Sequence, residues 1–197
     1  VDRVNREHRS RPFANGQFLL FSRKAYEGIG GHEAVKEALL EDIAFAKTIA
    51  KEPDGRVQLL FADGMLKCSM YPTFAAFNSG WKRIYIESHS RDVKKLRGSA
   101  LTALLVGVFM PLVSVVGIFI GMSGSPSLFW TSILAVTMFI FVIAWLYKIN
   151  GAPLVFVLLS PIGAIVVAWI LFGAASMLQN RKPICWGGKE YILEPRS

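Results

Sequence analysis

The chain has 197 residues, a formal net charge of +8, a hydrophobic share of 53% and a mean hydropathy of +0.42. These values exclude an intrinsically disordered chain. The two cysteines, Cys68 and Cys185, are too few and too far apart for a disulfide scaffold or a cysteine-based metal site. The charge is unevenly placed. Residues 1–98 hold 17 of the 22 Lys/Arg and 12 of the 14 Asp/Glu, and no charged residue falls between Ser99 and Tyr147 or between Ile149 and Asn180. A polar half followed by an almost uncharged half describes a membrane protein with an aqueous domain.

The chain opens at Val1 with neither a starting methionine nor a signal-peptide pattern, so it reads as a fragment or processed piece. On that reading, part of any active site precedes Val1. Asn15-Gly16 is a strong turn signal before a short strand, Gln17–Phe21. A short helix follows and stops at Gly30-Gly31. A longer helix is expected from Glu33 to about Lys51, then a strand over Val57–Ala62, a turn at Asp63-Gly64, and a strand over Met65–Met70. Cys68 lies in that last strand as an inert residue. Strands and helices alternating at this spacing predict part of an α/β domain over residues 1–73.

The helix contains two adjacent acids, Glu41 and Asp42. At about 100° per residue with Val35 at zero, Leu39, Ala46 and Ala50 fall within about 60° on one side, and Ala38 and Ile49 on the other. Ile43 and Phe45 flank the stripe at about 80°. Asp42 lies about 20° from its centre, whereas Glu41 lies about 120° away beside Glu37 and Thr48. A carboxylate on an apolar face is costly unless it is paired, hydrogen-bonded or facing a cavity. Two readings follow: a structural aspartate that caps a neighbouring loop or pairs with an arginine, or a general base at the floor of a cleft.

From Thr73 to about Ser90, Phe74, Phe77, Trp81, Ile84 and Tyr85 recur at helical spacing beside Lys82 and Arg83. Residues 74–98 are therefore expected to form an interfacial amphipathic helix and a basic juxtamembrane segment. Packing of the aromatic stripe on the domain core is the alternative. The basic residues suit anionic lipid, and Lys82 and Arg83 also suit a phosphate. Three apolar segments follow within residues 99–180, at about 100–122, 128–147 and 154–178, each near the ~20 residues that cross a bilayer. Pro111 and Pro161 lie inside the first and third, where kinks are tolerated if neighbouring helices satisfy the freed carbonyls. With no ionisable side chain inside the spans, an ion or proton pathway is not expected.

Arg91, Lys94, Lys95 and Arg97 precede the first span, which places the polar domain in the cytoplasm. Three full crossings would then put the polar tail, 181–197, with Arg181, Lys182 and Lys189, on the far side. Either the tail violates the charge bias, or one segment is re-entrant.

In order along the chain, Asn15-Gly16-Gln17, Tyr26-Glu27-Gly28-Ile29-Gly30-Gly31-His32, Glu41-Asp42, Met70-Tyr71-Pro72 and Gly80-Trp81-Lys82-Arg83 precede the spans. Together they resemble the C-terminal half of a membrane-bound family 2 glycosyltransferase of the GT-A fold, whose catalytic domain is Rossmann-like α/β. The tail, Ile184-Cys185-Trp186-Gly187-Gly188-Lys189-Glu190-Tyr191, looks like the W-x-G-[RK]-x-Y ending of small enzymes that glycosylate lipids, carotenoids or hopanoids. The resemblance implies inverting sugar transfer from a nucleotide-sugar, such as a UDP-sugar, to a hydroxyl or carboxyl of a lipid-embedded acceptor at the cytoplasmic membrane face. It implies Asp42 as general base with Glu41 in support, and substrate contacts from Asn15, Gly16, Gln17, Gly31, His32, Trp81, Lys82 and Arg83.

It further implies a divalent metal, Mg or Mn, held by an Asp-x-Asp motif upstream of Val1. In processive relatives the interfacial helix bears Q-x-x-R-W. Here Trp81 precedes the basic residues, which disfavours a processive polysaccharide synthase. That synthase and a non-catalytic membrane-anchored binding domain are the alternatives. Nothing in the chain points to a nucleic-acid target.

Overall fold

The computed structural model describes residues 4–5, 12–38, 40–60, 64–186 and 189–196. The chain divides into two compact units, Val1–Phe77 and Asn78–Ser197. In the first, helix α1 (Arg23–Gly28) is N-capped by Ser22, whose hydroxyl accepts from the Ala25 N–H. A 3₁₀ turn (Gly31–Val35) and helix α2 (Glu41–Ile49) follow. Its core is Ile29, Val35, Phe45 and Ile49, with Leu19, Phe21, Tyr26, Ala38, Ala44 and Val57 packed around them.

The α/β, Rossmann-like expectation is wrong. The described residues are mainly helical, and the expected strands at Gln17–Phe21 and Met65–Met70 form no ladder; Gln17 and Phe18 belong to the turn and the bend that follows Asn15. Residues 57–60 of the third are likewise unpaired, while Phe61, Ala62 and Asp63 lie outside the described residues. The reason is physical: alternation marks a one-sided segment, but a strand exists only where a neighbour takes its backbone groups. At Leu59 a side chain has taken them instead. The Asn5 amide donates to the Leu59 carbonyl oxygen at 3.0 Å and accepts from the Leu59 N–H at 2.8 Å.

The helix expected over Glu33–Lys51 is broken in two, and Leu39, placed on its apolar stripe, lies outside the described residues. Starting α2 at Glu41 puts both acids in its first turn, where free N–H groups and the positive end of the helix dipole favour carboxylates. In one continuous helix they would sit mid-run without that stabilisation.

Helix α3 (Phe74–Ser88) occupies the expected amphipathic segment and starts from Thr73, whose Oγ1 accepts from the Ala76 N–H at 3.1 Å. It ends in a tight elbow, where Ser90 and Arg91 have φ of 57° and 59°. The Arg91 N–H closes back on the Ile86 carbonyl oxygen at 2.8 Å. Asp92 then caps helix α4 (Val93–Leu104) by accepting from the Lys94 and Lys95 N–H groups. The Lys95 N–H is the main influence holding the Asp92 carboxyl below its usual range. The cap is therefore intact at neutral pH and is lost only as pH falls through that lowered value.

Beyond α4 the chain widens into a π turn (Leu105–Phe109) and continues as helix α5 (Met110–Met122). Pro111 has no N–H to give the Gly107 carbonyl, which accounts for the loosened winding. Helix α6 (Pro126–Ile149) returns antiparallel to α5. A 3₁₀ stretch (Leu154–Leu159) leads into helix α7 (Ser160–Gln179), so Pro161 opens that helix rather than kinking it. The stretches Val93–Met122, Pro126–Ile149 and Leu154–Gln179 are long and apolar enough to cross a membrane. The strands β1 (Ile184–Trp186) and β2 (Lys189–Tyr191) pair antiparallel in the tail.

Glycines set the close approaches within this unit. Gly117 and Gly121, one turn apart on α5, face Ser132 and Phe129 of α6. A Cβ on Gly121 would stand 2.5 Å from the Phe129 backbone nitrogen, whereas one on Gly163 of α7 meets nothing within 4 Å. Gly121→Ala is expected to destabilise the membrane unit by about 1–3 kcal/mol, with Gly163→Ala near neutral. Thermal unfolding of the two variants in detergent checks this.

Candidate active site

Most residues singled out by the sequence meet in the first unit around the start of α2. Asp42 is half-buried and shares its helix face with Phe45, Ala46 and Ile49, all buried, whereas Glu41 is exposed. The Asp42 carboxylate accepts two backbone N–H bonds: Oδ2 from Gly16 at 2.8 Å and Oδ1 from Ile43 at 2.7 Å. The first pins the Asn15-Gly16-Gln17 turn to the helix. That turn is closed by the Gln17 N–H donating to Asn15 Oδ1 at 3.2 Å. Gln17 Nε2 then reaches Met70 Sδ at 2.7 Å, which ties the Met70-Tyr71-Pro72 segment to the same place.

One turn further along the same face of α2, Phe45 supports an aromatic cluster. Its ring centroid lies 5.0 Å from that of Phe21 and 5.0 Å from the His32 ring, which meets it edge-on. Tyr26 Oη lies 2.6 Å from His32 Nδ1 and accepts the His32 backbone N–H at 3.2 Å. The Gly30-Gly31 pair makes the bend, with φ of 81° and 58°. Sequence reasoning missed Tyr26 and Phe45 as organisers of this loop. Phe45 was accessible in principle, lying three residues after Asp42 on one helix face.

Trp81, Lys82 and Arg83 belong to the second unit, where Lys82 lies against α7. The Lys82 stem lies on Gly173 and its ammonium sits 5.5 Å from the Trp169 ring centroid, a cation–π arrangement. Arg83 is buried, and Trp81 packs on Tyr85 with centroids 5.3 Å apart. Burial pushes the Tyr85 phenol above its usual value. The structure thus groups the predicted residues in two sets: Asn15, Gly16, Gln17, Gly31, His32, Glu41 and Asp42 in one unit, and Trp81, Lys82 and Arg83 in the other.

No three His, Cys, Asp or Glu side chains come together among the described residues. Asp42 accepts the Gly16 and Ile43 N–H groups and Glu41 is exposed, and no third ligating side chain joins them among the described residues. The described residues therefore do not fit the Mg or Mn that the resemblance implies.

Apolar helices of membrane-crossing length behind a smaller polar unit define a membrane-associated protein. Its family follows from comparison with known proteins. The model of glycosyl transferase family 21 matches residues 4–196, and the chain belongs to that family. The glycosyltransferase expectation is thereby shown, while the family number is 21 rather than 2. Neither the curated proteins nor the solved structures give a significant match.

The bend at Gly31 yields a direct check. An added Cβ there would lie 3.0 Å from the Tyr26 ring, at a positive φ that L-residues adopt only at a cost of about 1–2 kcal/mol. Gly31→Ala is expected to loosen the loop and to lower the protection of the His32 amide in hydrogen exchange.

Proposed function

We propose that this protein is an inverting glycosyltransferase of the hexosyltransferase kind. It moves a sugar from a nucleotide donor, such as a UDP-sugar, to a lipid-embedded acceptor of glycolipid, carotenoid or hopanoid type at the cytoplasmic membrane face. The observation that carries the reading is the Asp42 carboxylate, held on an otherwise apolar helix face in a chain of a glycosyltransferase family. A carboxylate has about four lone-pair sites. The Gly16 and Ile43 N–H bonds occupy two, so both oxygens retain room for a proton while their direction is fixed.

In the proposed reaction an Asp42 oxygen takes the proton of the acceptor hydroxyl. The freed oxygen attacks the anomeric carbon, the bond from that carbon to the diphosphate oxygen breaks, and the nucleoside diphosphate leaves. Inversion follows from attack opposite the leaving group. Glu41, exposed on the neighbouring turn, supports the negative field without taking the proton. Asn15, Gly16, Gln17, Gly31 and His32 line the donor and acceptor side. Trp81, Lys82 and Arg83 offer stacking and cationic contacts to acceptor or diphosphate. The divalent metal implied by the resemblance would draw its ligands from outside the described residues. The cytoplasmic placement rests on the basic cluster before the first apolar stretch.

A purely structural Asp42, holding the Gly16 turn, is the competing reading, and one comparison separates the two. Asp42→Asn is expected to lower kcat by at least about 100-fold, the scale of general-base catalysis, while costing only about 1–2 kcal/mol of stability for the one backbone acceptor it loses. Glu41→Gln is expected to cost far less. Parallel losses of stability and activity in Asp42→Asn, matched by Gly16→Ala, would support the structural role instead.

A further inference from the structure

The two ends of the membrane unit meet. Arg97, in the second turn of α4, donates from Nη2 to Oε1 of Gln179, the last residue of α7, at 2.6 Å. The Arg196 backbone N–H donates to the Arg91 carbonyl oxygen at 3.0 Å, so the tail lies against the elbow before α4. Deeper in, Gly107 of the π turn faces Ala164 of α7 so closely that a Cβ on the glycine would clash with it. Helix α7 thus runs antiparallel to α4, back to the end where α4 begins. Helix α5 packs instead along α6, and the turn after Met122 marks the opposite end.

A chain that enters and leaves on one face crosses an even number of times, yet three stretches are long enough to cross. The contacts identify the one that stops short. Gly107 lies ten residues beyond Arg97, about 15 Å of helical rise, or half of a hydrocarbon core about 30 Å thick. Ala164 faces Gly107 about 22 Å of helical rise before Gln179, and the six-residue 3₁₀ stretch that leads from the end of α6 into Ser160 rises only about 12 Å, too little to cross the core before α7 turns back. The continuous stretch Val93–Met122 and the 24-residue α6 are each long enough to cross fully.

We propose that residues 154–179 form a re-entrant segment, entering through the 3₁₀ stretch and leaving through α7. The tail, 181–196, then lies on the same bilayer face as residues 78–98. The 3₁₀ stretch turns its apolar Leu154, Val155, Phe156, Leu158 and Leu159 outward and buries Val157, while α7 buries Ala168, Ile170, Leu171, Ala174 and Ala175. Charge supports the arrangement independently. It puts Lys148, Arg181, Lys182, Lys189 and Arg196 on the face that holds Arg91, Lys94, Lys95 and Arg97, and leaves an uncharged turn, Ser123-Gly124-Ser125, on the other. Three crossings would send the tail's four basic residues to the far face. The inference is independent of the reaction proposed above.

The test uses the full chain in sealed membrane vesicles of one orientation, with Cys68 and Cys185 replaced by serine. Single cysteines at Lys94, Ser123, Lys182 and Glu194 are probed with a membrane-impermeant maleimide. Lys94→Cys, Lys182→Cys and Glu194→Cys are expected to label from one side and Ser123→Cys from the other. A short bismaleimide should also join Arg97→Cys to Gln179→Cys within one chain, giving a mobility shift. Labelling of Lys182→Cys or Glu194→Cys from the Ser123 side, or no cross-link between inserted Arg97→Cys and Gln179→Cys, would overturn the proposal.

Discussion

The hydrogen bond from the Gly16 N–H to Asp42 Oδ2 organises the first unit. It joins a turn near the start of the described chain to the first turn of α2, across 26 residues of sequence. A carboxylate there is doubly favoured, by the free N–H groups of the helix start and by the donor from the turn. With that turn held, Gln17 reaches Met70. One turn along the same face of α2, Phe45 anchors the Tyr26–His32 loop. The bond also supplies what the proposed base needs, a carboxylate oriented before substrate arrives. One interaction serves both the fold and the chemistry, which is why the two roles of Asp42 must be separated by comparing stability with turnover.

The second unit obeys a different constraint: in a bilayer every backbone polar group must find its partner within the protein. The π turn beside Pro111, the 3₁₀ entry to α7 and the glycine contacts at Gly107, Gly117 and Gly121 are local adjustments to that demand. Close helix approach replaces the hydrophobic effect as the source of packing where lipid is the solvent. Charged side chains make their links at the ends, where Arg97 meets Gln179 and Glu87 meets Arg91, and there His89 Nε2 also meets Ser99 Oγ at 2.8 Å.

Much of this was legible in the sequence because it rests on local periodicity. The amphipathic run from Thr73 and the three apolar stretches follow from residue spacing alone. The different exposures of Glu41 and Asp42 do so as well, since Asp42, Phe45, Ala46 and Ile49 stay on one face even though the helix starts later than expected. What depends on pairing was not legible. Alternation at Val57 and Leu59 resembles a strand until Asn5 takes the Leu59 backbone groups. The break before Glu41 was hidden because Ala38, Leu39 and Leu40 are ordinary helix formers. It reflects the preference of two acids for a helix start. The charge pattern posed the question of the tail's side, and the Arg97–Gln179 contact supplied what charge alone lacked.

The central claim is chemical: sugar leaves a nucleotide and arrives, with inversion, on a lipid. The most direct measurement incubates membranes bearing the full-length protein with radiolabelled nucleotide-sugars, then extracts with organic solvent and determines the anomeric configuration of the labelled product. The account predicts label in the lipid phase with configuration opposite to that of the donor. Label confined to a water-soluble polymer, or a lipid product of retained configuration, would contradict it.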